Sequence, residues 1–501
     1  MGLLIKSLPR YTGPHPVSTL DLELPVDQPR SFGDATLKST GKPALQLDTV
    51  LVTLYYPADP HQGGAGTRQP WVERPLSQTA AGYARFANQR PWLFKALVWL
   101  FARDVRLPVE ADRPLVPAAA VASGTSSPAA TADARSHDSQ DTVIGDEGAL
   151  PRGSKSRLPV VIFSHGLSGT RTTYSQWCGE IASRGYVVAA IEHRDGSGPI
   201  STVRRADGKQ ERVVDYIRPE HLSWPDGKKP LTSLEFRAVQ LEMRLAEVSE
   251  TLRVLERLNA GEGADIARSN RRRSGEKSRV EEWQPAWRDR LDLTEEITMA
   301  GHSFGGATAI QVLRAGATAF PFRKGIALDP WADPIPPAPS SDQLAPTESN
   351  PAPTTDKKGN GGPPLDIVAP LLVINSEAFT LWKEHYVLVR DIVNAVKRGA
   401  DRWLMTMVGS IHTSFSDLPL LAPFIARRTG SRVNPQLAIS QFVEASHEFL
   451  RGEADGPILG AEVKEGDENG TRPGEGEKEA GGKKRTPMEG EVGSMRMHVR
   501  P

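Results

Sequence analysis

The chain has 501 residues, 38% of them hydrophobic, enough to bury a large core, and its 61 Lys and Arg balance its 61 Asp and Glu. A formal net charge of zero gives no electrostatic case for nucleic acid as a partner and favours a neutral substrate, or one held by apolar contact. A single cysteine, Cys178, excludes an intramolecular disulfide, and Met1 to Pro9 has too short an apolar run for a signal peptide, so an intracellular, cytoplasmic location is expected.

Gly2 meets the first demand of a myristoylation signal, but Lys6 stands where Ser or Thr is required and Ser7 comes one place late. Leu51 to Tyr56 reads as an early strand ended by Pro57. Pro91 to Ala102 reads as an apolar, Trp-bearing helix of about three turns, broken by Lys95 and too short to cross a bilayer. It fits equally a helix packed on a core and one lying in the plane of a lipid surface. Leu158 to Phe163 is a buried strand leading into the loop Ser164 to Gly169, and Tyr174 to Arg184 is a helix ended by Gly185. Tyr186 to Ile191 is a strand, and an amphipathic helix runs from about Leu234 to Leu258, with Val239, Met243, Ala246, Leu252 and Leu255 on its apolar face. Strands follow at Ile297 to Ala300, Gly325 to Leu328 and Leu371 to Ile374, then an apolar run from Trp403 to Val408 and a helical stretch from Ile439 to Leu450. Apolar runs alternating with helices imply an α/β fold with a mostly parallel central sheet and helices on both faces.

Segments near 112–156, 261–286, 335–364 and 453–501 lack hydrophobic periodicity and are rich in small, polar or Pro residues. The first three are expected to be low-complexity insertions in a single catalytic domain over 1–452, and the last a disordered tail. Within them, Arg271 to Arg273 and Lys483 to Arg485 read as solvated loops. The sequon Asn469 to Thr471 carries no weight without a secretory signal.

Ser303 sits between Gly301 and Gly305, after a short strand and before the helical run Ala307 to Arg314. Glycines two before and two after a serine allow the sharp strand-to-helix turn that presents a nucleophilic hydroxyl. Such a serine needs a base to take its proton and a carboxylate to orient that base, in the order Ser, acid, His. Of the later histidines, His385 and His447 fall in helical stretches and His498 in the tail, whereas His412 lies in a loop after the last core strand. Asp329 ends the strand Gly325 to Leu328 and leads as the acid, with Asp333, Asp366 and Asp417 as alternatives. The oxyanion donors are read as the backbone N–H groups of Phe304, after the nucleophile, and Leu167, in the loop His165 to Gly169. His165, His193 and His302 come with no Cys cluster, H-E-x-x-H or paired carboxylates, so no metal or other cofactor is expected. His193-Arg194-Asp195 lacks the Asn five residues on that a kinase loop needs, Ile200 standing there.

Six blocks in order, Phe163 to Tyr174, Val188 to Asp195, Gly301 to Thr308, Gly325 to Asp329, Ile374 to Glu377 and Gly409 to His412, resemble the platelet-activating factor acetylhydrolases of the plasma and intracellular type II kind. Tyr11 to Pro14 and Leu54 to Pro57 resemble that family's opening segment. The resemblance implies an α/β-hydrolase fold and a calcium-independent phospholipase A2 that cleaves the short or oxidised sn-2 acyl ester of a glycerophospholipid through an acyl-enzyme. It places the nucleophile at Ser303, the acid at Asp329, the base at His412 and the oxyanion donors at Leu167 and Phe304, and it implies a phospholipid substrate with lipid-surface contact through Pro91 to Ala102. Pro330 departs from the family, which has Ala before Trp331, and the insertions near 112–156 and 335–364 are long for it. A general carboxylesterase or polyester hydrolase on the same scaffold, and a hydrolase fold serving only to bind, are the competing functions.

Overall fold

The computed structural model describes residues 7–63, 67–118, 157–206, 209–272, 286–336, 367–463 and 487–501. Gly2, Arg273, Asp366, Asn469 and Lys483 to Arg485 lie outside the described residues. The strands in chain order are β1 (Val17–Leu37), β2 (Pro43–Pro57), β3 (Arg68–Pro70), β4 (Arg106–Glu110), β5 (Leu158–Ser164), β6 (Val187–Ile191) and β7 (Ile200–Arg204). They continue with β8 (Gln210–Asp215), β9 (Leu222–Ser223), β10 (Leu291–His302), β11 (Lys324–Leu328), β12 (Leu371–Ser376), β13 (Arg402–Met407) and β14 (Met495–Val499).

Ten of these form one sheet in the order β14-β13-β12-β11-β10-β5-β6-β2-β1-β9, while β3 with β4 and β7 with β8 make two small ribbons. From β6 to β13 the neighbours are parallel, and β2, β1, β9 and β14 are joined antiparallel at the two ends. The central strands are apolar on both sides because helices cover both faces. In β5, Leu158, Val160 and Ile162 pack with Leu241, Val248 and Leu255 of the helix Ser233–Asn259. The alternate residues Val161 and Phe163 pack on the other face with Trp177 of the helix Ser175–Ser183 and Phe442 of the helix Pro435–Arg451. Helix starts follow local chemistry: Thr232 accepts from the Glu235 N–H while the Glu235 carboxylate accepts from the Thr232 N–H at 2.6 Å, a reciprocal cap.

Where composition pointed to structureless insertions, apolar anchors decide otherwise for the described parts. Leu115 and Val116 are buried against the end of β2. Gly263–Ser269 is a helix with Ile266 in the core. Arg272 is not solvated: it pairs with Glu23 at 2.8 Å and with Glu73, inside a lattice in which Arg171 meets Asp21, Glu73 and Glu192. In the expected tail, Met495, Met497 and Val499 alternate, and that period-two pattern lets β14 close the sheet edge beside β13, with Met497 buried. Among the described residues no helix is long and apolar enough to cross a membrane.

Candidate active site

β10 ends at His302 and the helix Phe304–Ala315 begins one residue after Ser303, so the chain reverses within a single residue. That residue carries the strain: Ser303 has φ of 58° and ψ of −119°, a left-handed conformation costly for a side chain with Cβ. The flanking glycines make the turn possible. A Cβ on Gly301 would stand 2.1 Å from the Gly305 carbonyl oxygen, and one on Gly305 would stand 1.9 Å from the carbonyl oxygen of Ser164.

The turn presents Ser303 Oγ 2.8 Å from His412 Nε2, and His412 Nδ1 lies 2.6 Å from Asp329 Oδ2. Asp329 leaves β11 with its carboxylate fully buried. Its Oδ1 accepts from the Ser376 N–H and its Oδ2 from the Ser376 hydroxyl, each at 2.7 Å. A buried carboxylate so satisfied has one direction left, toward the imidazole. The rival acids stand elsewhere. Asp333 is exposed, 3.7 Å from His385, and Asp417 accepts from the N–H groups of Ser175 and Gln176 and from the Trp71 indole. His447 lies in the helix Pro435–Arg451, and His498, in β14, bonds Thr406.

Leu167 lies on the loop after β5, beside Gly166, where an added Cβ would come 2.8 Å from Ser303 Cβ. Phe304 is the first residue of its helix, so its N–H has no intrahelical acceptor and forms part of the dipole's positive end. Loop and elbow thus bring the Leu167 and Phe304 segments to the same serine.

Several contributors were not anticipated from the sequence. Gly166 N–H donates to Tyr174 Oη, which lies 2.8 Å from His302 Nδ1, while His302 Nε2 donates to the His412 carbonyl at 3.0 Å. Burial, then the neighbouring His412, hold the His302 imidazole well below its ordinary value, so it stays neutral. Glu377 accepts from the Gly409 N–H at 2.7 Å and pairs with Arg432 at 2.6 Å, fixing the turn before His412. No periodicity marks these residues; the family-like blocks include Gly166, Tyr174, His302, Glu377 and Gly409 without indicating their roles, and Arg432 lies outside all of them. His302, Asp329 and His412 bring ligand-type atoms within 4.8 Å of one another, but each of those ring nitrogens and carboxylate oxygens already has a protein partner.

A mostly parallel sheet, helices on both faces and a serine on a strained strand-to-helix elbow define an α/β-hydrolase. A family model described as platelet-activating factor acetylhydrolase, isoform II, matches residues 141–347 and 365–469, and the chain belongs to that family. It is 28% identical over 302 residues to a platelet-activating factor acetylhydrolase of Gallus gallus, a match covering 59% of this chain and 62% of that one. A putative phospholipase A2 of Schizosaccharomyces pombe is 28% identical over 317 residues, 60% of this chain and 58% of its own. The chain thus spans about three fifths of the length of these curated relatives. A solved ferulic acid esterase from Streptomyces cinnamoneus shares the fold, with a TM-score of 0.51 at 17% identity over 91% of this chain and 96% of that one.

Proposed function

We propose that the protein is a calcium-independent serine esterase that removes short or oxidised sn-2 acyl chains from glycerophospholipids. The observation that carries this reading is the unbroken relay from Ser303 Oγ to His412 to the buried Asp329. In the first half-reaction Ser303 Oγ attacks the ester carbonyl as His412 Nε2 takes its proton, and Asp329 stabilises the imidazolium. The N–H groups of Leu167 and Phe304 receive the oxyanion. Collapse expels the lysophospholipid alkoxide, which takes the proton from His412, and leaves the acyl group on Ser303. Water, deprotonated by His412, then attacks the acyl-enzyme, releasing the carboxylic acid and returning the proton to Ser303.

Lipid-surface contact is part of the same reading. In the helix Pro91–Phe101, Trp92 and Trp99 are 65% and 57% exposed and seven residues apart, with Leu93 and Leu100 beside them. Val98 packs against the core, so one side anchors the helix while the other offers aromatic surface to an interface.

The test is mass spectrometry of phospholipids consumed by the wild type and by Ser303→Ala, alongside fluorophosphonate labelling. The reading expects loss of sn-2 acetyl and oxidised species, and a serine adduct, only with Ser303 present. Fast turnover of soluble nitrophenyl esters with those phospholipids untouched identifies a general esterase instead.

A further inference from the structure

The helix Ser233–Asn259 hides a polar stripe within its buried face. Gln240, Arg244, Glu247 and Thr251 are spaced by four, three and four residues, so they share one side, and none is more than 1% exposed. This stripe lies under the loops that end β5 and β6. Glu247 accepts from the Arg194 N–H at 2.7 Å and lies 2.5 Å from His193 Nδ1, while His193 Nε2 is 2.7 Å from Ser164 Oγ.

Arg244 is the hub. Its Nε donates to Asp195 Oδ2 at 2.7 Å, Nη1 to the His165 carbonyl at 2.8 Å and Nη2 to Ser197 Oγ at 2.7 Å. The guanidinium carbon sits 4.2 Å from the centre of the Phe304 ring. One group therefore donates to a carbonyl two residues before Leu167 and places its cation over the Phe304 ring. Burial pushes the Asp195 carboxyl up, but the charge and hydrogen bond of Arg244, with His193 and the Ser197 hydroxyl, together outweigh it and hold the group well below its usual range.

We propose that Arg244 is a positioning residue for the oxyanion hole, holding in register the two segments that carry the N–H groups of Leu167 and Phe304. It touches no reacting atom. It acts through the His165 carbonyl and the Phe304 ring, and the inference rests on the esterase reading above. The arginine fork matters as much as its charge. A lysine keeps a cation near Asp195 but cannot reach His165 and Ser197 together while keeping its charge over Phe304.

The experiment compares Arg244→Lys with the wild type on a soluble short-chain ester, reading kcat, KM and inhibition by a trifluoromethyl ketone, whose adduct with Ser303 carries an oxyanion. Displaced donors lower kcat by roughly 10- to 100-fold, leave KM within about twofold, and weaken the ketone by the same factor as kcat. Arg272→Lys alters another buried ion-paired arginine that contacts neither segment, so it is expected to lower the unfolding midpoint without changing kcat. Should Arg244→Lys not fold, Arg244→Met with Asp195→Asn removes both buried charges together, and the same parallel loss is expected. An active wild type whose folded Arg244 variants keep kcat, or lose kcat with ketone affinity unchanged, overturns the positioning role alone. A wild type that neither turns over ester nor labels at Ser303 overturns this role and the esterase reading together.

Discussion

Phe379 lies flat on the imidazole of His412, ring centroids 4.2 Å apart and planes 6° apart. His302 covers another side of that imidazole at 4.5 Å. Phe379 belongs to the short helix Glu377–Thr380, whose cap, Ser376, also holds Asp329. One turn of chain thus restrains both Asp329 and His412.

In the proposed mechanism, replacing Phe379 with Ala removes a π-face that would stabilise the His412 imidazolium. A contribution of about 0.5–2 kcal/mol predicts a fall in kcat of roughly 2- to 30-fold. Steady-state kinetics on a soluble ester, where lipid binding plays no part, provide the check; an unchanged kcat would mean that the stack only fills space.

Gly166→Ala is expected to lower stability and activity together. The new methyl meets Ser303 Cβ at 2.8 Å and the His302 carbonyl oxygen and Tyr174 Oη at 3.1 Å, so the loop or the serine must shift. A loss of kcat of about 100-fold or more with a lower melting temperature is the expected pairing. An unchanged kcat would show that the elbow takes up the methyl without moving Ser303.

His447 and His498 predict a pH dependence of stability. Burial, helped by Arg184 and Arg451 around His447 and by Arg496 beside His498, lowers each imidazole from 6.5 to about 4. Between those values the unfolded chain binds protons that the folded one refuses. Their contribution is therefore full above pH 6.5 and is lost as pH falls toward 4. Denaturant midpoints across this window should drop less steeply in a His447→Gln, His498→Gln double variant than in the wild type; identical slopes would show that neither ring is kept neutral by the fold.

Trp92→Ala with Trp99→Ala tests the exposed helix face. Vesicle sedimentation should show binding weakened by about 10-fold or more, while hydrolysis of a soluble ester is unchanged. If both variants and wild type partition alike, the aromatic face has another use.

Much of the framework was legible in the residues. Apolar runs such as Leu158 to Phe163 can satisfy their backbones and bury both faces only inside a covered parallel sheet, and β5 does so. The elbow was legible because Gly301, Ser303 and Gly305 meet a local steric demand that sequence records directly. β14 was less so, since five alternating residues at the end of a polar segment gain their stability from the neighbouring edge of β13. The run Arg271 to Arg273 misled for a related reason: whether Arg272 is solvated depends on Glu23 and Glu73, some two hundred residues away.

At the site, the chain alone determined which residue types could serve and where a serine could be sharply presented. It put Asp329 first as the acid, with Asp333, Asp366 and Asp417 as alternatives, because a carboxylate's reach is set by packing and not by its neighbours in sequence. Tertiary structure turned Asp417 toward the start of the helix Ser175–Ser183 and Asp329 toward His412. It also assembled what no local pattern announces, the Tyr174 and His302 link, the Phe379 stack and the buried fork of Arg244. Those groups owe their geometry to desolvation, which makes each buried polar atom find a partner wherever in the chain that partner lies.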